Sequence, residues 1–98
     1  MTRAEFLSAS EEIIRNILRA ALPAGVPVYI FGSRSRGDYR WNSDFDFWVD
    51  ADLARDKILE IEEHLEESIV PFGVDLVCTP QLQGEFGQRV IQEAKRWM

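Results

Sequence analysis

The sequence predicts a small α/β domain, and three observations lead there. Apolar residues recur at helical spacing in three stretches. Short runs rich in β-branched and aromatic residues stand between them, bounded by glycine or proline. The order alternates helix, strand, turn, strand, helix, strand, helix, as layered α/β domains do. The 98 residues suit one domain, residues 1–98, with a real but small core.

Thr2 stands three residues before Glu5, the spacing of a capping box that opens a helix. Phe6, Ile13, Ile14, Ile17, Leu18 and Ala21 then mark one face over residues 4–21, and Pro23 and Gly25 end it. Its expected role is to cover one face of a sheet. Residues 26–31 read as a strand buried on both faces, ended by Gly32. Residues 33–37 leave room for one helical turn, and residues 38–43 have loop chemistry. Residues 44–50 form the second expected strand, with Asp50 or Asp52 available to cap the next helix.

That second long helix is expected from Leu53 to about Ile69, stopped by Pro71. Ile58, Ile61, Leu65 and Ile69 form its apolar stripe, widened by Leu59. Glu60, Glu62, Glu63, Glu66 and Glu67 decorate the other side, as a solvated face or as a docking surface for a basic partner. His64 is read as a surface residue. Residues 73–78 form the third strand, and residues 79–83 a loop. Phe86, Val90, Ala94 and Trp97 mark a terminal helix, with Lys95 and Arg96 near its C-terminal end.

Composition excludes several function classes. Hydrophobic residues make up 46% of the chain, too many for a disordered tail. A net charge of -6 argues against binding duplex DNA or RNA, which calls for a basic face. It leaves room for an enzyme that holds one nucleotide through metal ions. The single cysteine, Cys78, permits no intrachain disulfide, and a cytoplasmic location is expected. Met1 to Glu5 lack the apolar core of a signal peptide. No apolar run approaches the roughly 20 residues that span a bilayer.

The chemistry concentrates between Gly32 and Asp50. On a strand, Asp44 and Asp46 point the same way, while Phe45, Phe47 and Val49 point to the core. Two carboxylates on one face repel unless a cation sits between them. Phe47, Trp48 and Val49 do not continue a calcium-loop pattern. Mg²⁺, held by few carboxylates plus substrate phosphates, fits better. Gly32-Ser33, where a strand opens into a helical turn, reads as an anion site or as an ordinary turn. Asp75 is the one acid among Val74, Leu76 and Val77. It is either an edge-strand surface acid or a third ligand on a shared metal. Two ions about 3.5–4 Å apart could then clamp an in-line phosphoryl displacement.

The run Gly32-Ser33-x-x-Arg36-Gly37, followed by Ser43-Asp44-x-Asp46, resembles the signature of the DNA polymerase beta-like nucleotidyltransferase superfamily. Asp75 in Val74-Asp75-Leu76-Val77 resembles that superfamily's third carboxylate. The short chain and the Arg-Gly spacing resemble the minimal nucleotidyltransferases of prokaryotes. The resemblance implies a nucleotidyltransferase fold: a small mixed sheet with helices packed mainly on one face. It implies that Gly32 and Ser33 hold the β- and γ-phosphates. Asp44 and Asp46 would ligate two Mg²⁺ ions, and Asp75 the catalytic one.

Arg36 would either brace the loop by pairing with an acid, Asp38 being one candidate, or touch phosphate. Ser43 would orient Asp44 through a hydrogen bond. Arg34 and Arg40 receive no role. Trp48 departs from the family pattern. It is bulkier than the usual aliphatic residue, and would pack under the first helix or crowd the acids.

The implied activity is attack of a hydroxyl on the α-phosphorus of a nucleoside triphosphate, ATP for preference, with pyrophosphate leaving. The implied acceptor is a partner protein, a tyrosine on a HEPN-domain ribonuclease, in a toxin–antitoxin pair. Two alternatives stand beside it: an antitoxin that acts by contact alone, and a dimeric nucleotidyltransferase acting on a small molecule. Trp41 and Trp97, if exposed, would mark an interface with a second copy or another chain.

Overall fold

The computed structural model describes residues 1–98. Helix α1 spans Arg3–Ala21, strand β1 Val28–Phe31, the single turn α2 Ser33–Arg36, strand β2 Phe45–Val49 and helix α3 Arg55–Glu67. Strand β3 spans Val74–Cys78, a 3-10 turn Thr79–Gln81, helix α4 Gly84–Glu93 and strand β4 Lys95–Arg96.

The capping box forms as its spacing predicts. Thr2 Oγ1 accepts from the Glu5 N–H at 3.1 Å, and Glu5 Oε1 accepts from the Thr2 N–H at 3.3 Å. The strands lie in the order β3-β2-β1-β4. β1 is antiparallel to β2 and β4, and β2 is parallel to β3, so the sheet is mixed. Phe45, Phe47 and Val49 alternate into a core with Ile14 and Leu18 of α1 and Ile61 and Leu65 of α3. Both long helices therefore cover one sheet face. α4 departs from that layer: Phe86 meets Phe31 edge-on at 6.4 Å, and Phe31 shares the opposite face with its register partner Asp46.

Three expectations are corrected. The terminal helix stops at Glu93, and Lys95–Arg96 leave it to pair with β1. The free edge of β1 offers main-chain partners that a continued helix would leave unmet. Trp97 consequently packs on Phe47 at 4.6 Å, under the Arg15 guanidinium, and is no exposed anchor. Second, α3 ends at Glu67, because Ser68 Oγ donates to the Leu65 carbonyl at 2.6 Å and turns the chain out. Pro71 then holds Val70 extended. Ile69 is left 84% exposed, Leu59 points outward, and Val70 and Phe72 fill the core instead. Third, neither Asp50 nor Asp52 caps α3, whose N-cap is Ala54. Asp50 Oδ1 accepts from Thr79 Oγ1 at 2.7 Å.

Trp48 lies on the open sheet face, stacked on Tyr29 at 4.6 Å, with its Nε1–H donated to Thr79 Oγ1 at 3.0 Å. It is neither under α1 nor against the acids. No helix is long and apolar enough to cross a membrane.

Candidate active site

β1 ends at Gly32, whose φ of 74° and ψ of -156° fall in a region that is almost glycine-only. The glycine is required twice over. A Cβ there would overlap Asp46 Oδ2 and stand 3.3 Å from its Cγ. Gly37, left-handed at φ 91°, closes the α2 turn by donating its N–H to the Ser33 carbonyl at 2.9 Å. Gly32, Ser33, Arg36, Asp46, Asp75 and Glu93 line one cavity of about 500 Å³, with Phe31, Val77, Phe86 and Arg89.

Register explains the convergence of two of the acids. Asp46 faces Phe31 across one ladder and Asp75 across the other. Parallel neighbours lie about 4.8 Å apart, so the two carboxylates share a face and a cavity. Burial pushes the Asp46 carboxyl above the ordinary carboxylate range, and the charges of Asp75 and Asp44 push it further. Asp44 stands apart. Its carboxylate leans over Gly73, where a Cβ would meet Oδ1 at 2.6 Å, and it is not among the residues lining the cavity.

As the side chains stand, no three acidic, histidine or cysteine groups are close enough to form a ligand set. Asp44 and Asp75 are both exposed and free to rotate, while Asp46 is half-buried between them and the turn. The donor chemistry nonetheless fits magnesium. All three are hard oxygen ligands, Asp46 and Asp75 on adjacent strands and Asp44 in the loop just before β2.

Arg36 pairs with acids. Its Nη1 donates to Glu93 Oε1 at 2.9 Å and its Nε to Asp38 Oδ2 at 3.3 Å. Glu93, which no sequence motif singles out, is the hub of the turn. Its Oε2 accepts from the Gly32 N–H at 2.9 Å, and its main-chain oxygen accepts from Ser35 Oγ. Lys95 Nζ donates to the Ser35 carbonyl at 2.7 Å. The Ser33 hydroxyl, by contrast, keeps no partner within the fold.

Phe86, Arg89 and Glu93 recur at helical spacing on α4 and face the cavity. The polar pair Arg89 and Glu93, four residues apart beside the apolar stripe of Phe86, Val90 and Ala94, was the available signal in the sequence. Ser43 is a correction: its Oγ accepts from the Arg40 N–H at 2.9 Å and closes a turn, with no bond to Asp44. Arg34 proves structural. It donates to the carbonyls of Trp41 and Ser43 and lies over the Phe45 ring at 4.2 Å, so it cannot turn toward the cavity. Arg40 is exposed.

Comparison with known proteins supplies context for this geometry. The family model "Polymerase beta, Nucleotidyltransferase" matches residues 9–97. No curated protein matches in sequence. A crystal structure of a toxin–antitoxin with AMP-PNP is similar at a TM-score of 0.71 and 32% identity, covering 89% of this chain and 72% of that one. A structure of the tri-AMPylated Shewanella oneidensis HEPN toxin with its MNT antitoxin is similar at 0.68 and 28%, covering 93% and 71%. A MntA–HpeT toxin–antitoxin mutant is similar at 0.69 and 30%, covering 89% and 71%. In that mutant, two aspartates two positions apart are replaced by glutamate.

Proposed function

We infer, because this chain belongs to the polymerase beta nucleotidyltransferase family, that it transfers AMP from ATP to a hydroxyl on a HEPN-domain partner protein. The observation that carries this reading is the meeting of Asp46, Asp75 and the Gly32-Ser33 turn around one cavity. The AMP-PNP and tri-AMPylated HEPN complexes of similar chains support ATP as donor and a protein as acceptor. In the MntA–HpeT mutant, the altered aspartates have the spacing of Asp44 and Asp46. The pair is cytoplasmic in this reading, and the chain works as one half of a toxin–antitoxin assembly.

Ser33 offers its free hydroxyl to the β- and γ-phosphates, and Gly32 lets them approach the main chain. Arg36 holds the turn in place through Glu93 and Asp38. Asp44, Asp46 and Asp75 are the residues that would hold two magnesium ions, which when bound balance the triphosphate charge and acidify the acceptor hydroxyl. Asp75, which is exposed at the rim, takes the acceptor's proton in this reading. The acceptor oxygen then bonds to the α-phosphorus. The bond from that phosphorus to the bridging oxygen breaks, and pyrophosphate departs with the electron pair.

The experiment mixes the chain, Mg²⁺, labelled ATP and its HEPN-domain partner. Label should appear on the partner, and Asp44→Ala and Asp46→Ala should abolish it. Neutralisation of the partner by both variants, with no label transferred by the wild type, would establish the contact-only alternative. Label on a small molecule and never on protein would establish the dimeric one.

A further inference from the structure

The cavity beside Asp46 contains one cation that the fold does not use. Arg36, its other guanidinium, is tied to Glu93 and Asp38. Arg89 forms no ion pair, and its contact with the Phe86 ring is a loose one, at 5.9 Å. It lies four residues before Glu93, on the same face of α4. Glu93 touches Gly32 directly. Arg89 therefore stands one turn away, about 6 Å along the axis, and slopes further toward the helix N-terminus over the cavity mouth.

The donors of the turn point the same way. Glu93 occupies the Gly32 N–H, so that group is not available to a phosphate. The donors left at the turn, the Ser33 hydroxyl among them, are neutral, and its two arginines are engaged elsewhere. The cavity meanwhile already holds the carboxylates of Asp46, Asp75 and Glu93. An apolar or singly charged ligand would gain little from a free guanidinium there. A polyphosphate would gain a forked, charge-assisted contact.

We propose that Arg89 binds the terminal phosphates of the nucleoside triphosphate and holds the pyrophosphate that leaves. This rests on the nucleotidyl-transfer reading above, and assigns to α4 a binding role that the strand motifs do not contain.

The test compares wild type, Arg89→Ala and Arg89→Lys by calorimetric titration with ATP, pyrophosphate and AMP in Mg²⁺. Arg89 is exposed, so the variants should melt with the wild type. Arg89→Ala should weaken ATP and pyrophosphate by about tenfold or more and leave AMP within about twofold, with Arg89→Lys between. Equal weakening of ATP and AMP, or none, in a protein whose wild type binds ATP, would overturn this assignment alone. A wild type that binds neither ATP nor pyrophosphate would overturn the nucleotide reading, and this assignment with it.

Discussion

Replacing Gly32 by alanine separates the two reasons for a glycine at the turn. The first is backbone strain. At φ 74° and ψ -156° an L-residue costs about 1–3 kcal/mol. Alanine returns about 0.4–1 kcal/mol by restricting the unfolded chain. The net loss is at most about 2.6 kcal/mol. Set against the roughly 5–15 kcal/mol that holds a domain together, this loss leaves the fold intact. The second reason is local: the new Cβ must displace the Asp46 carboxylate that it overlaps.

Gly37→Ala is the control. Gly37 is also left-handed, at φ 91°, and costs about 1–2 kcal/mol, but a Cβ there meets nothing within 4 Å. Urea unfolding should therefore show similar losses in the two variants, with unchanged slopes. Transfer of label from ATP should fall at least about a hundredfold in Gly32→Ala and stay near wild type in Gly37→Ala. If Gly32→Ala transfers label at the wild-type rate, the close seat of Asp46 against the turn is not what the chemistry requires.

Asp46→Asn should change how stability depends on pH. The fold raises the Asp46 pKa, through burial first and then Asp75 and Asp44, so the native state holds the proton more tightly than the unfolded chain. Stability of the metal-free wild type should thus be higher when Asp46 is protonated. It should fall as pH rises from about 4 through the raised native value. The asparagine variant should lose that fall and gain no thermal shift from Mg²⁺. A variant whose melting temperature declines with pH as steeply as the wild type's would contradict the assignment. Glu93→Ala should destabilise the fold by about 1–3 kcal/mol in urea, because the part-buried Gly32 N–H loses its acceptor. Glu93→Gln keeps an acceptor and should lose less. An alanine variant that unfolds at the wild-type midpoint would show that the Gly32 bond does not hold the turn.

What the sequence made legible was local. The α1 box is a relation between residues three apart, and the alternation of Phe45, Asp46 and Phe47 is a relation between neighbours, so both could be read directly. Asp75 could be paired with Asp46 because each interrupts an apolar strand. Failures came where a distant partner decided the outcome. Ala94 and Trp97 continue the spacing of α4, and only the open edge of β1 explains why the helix stops. Ser43 adjoins Asp44 in sequence, yet Arg40 has the geometry to claim its hydroxyl. Trp48 shares a face with the acids, but stacking on Tyr29 and its bond to Thr79 draw it to the far end of the strand.

Glu93 is the instructive omission, because the short strand that hid it also positions it. β4 pairs antiparallel with β1, with Ile30 opposite Lys95. Continuing that register two places along each strand brings Gly32 opposite Glu93. The hydrogen bond between them is therefore the next rung of the ladder, made by a side chain where the helix has taken over the backbone. Two residues of edge strand thus set where α4 ends relative to the turn, and with it where Arg89 and Phe86 stand over the cavity. The acids sit on strands held by the core, but the helix that roofs them is registered by β4. A one-residue shift at Ala94 would move Glu93 off Gly32 while leaving Asp46 and Asp75 in place. The C-terminal residues therefore belong to the site as much as the aspartates do.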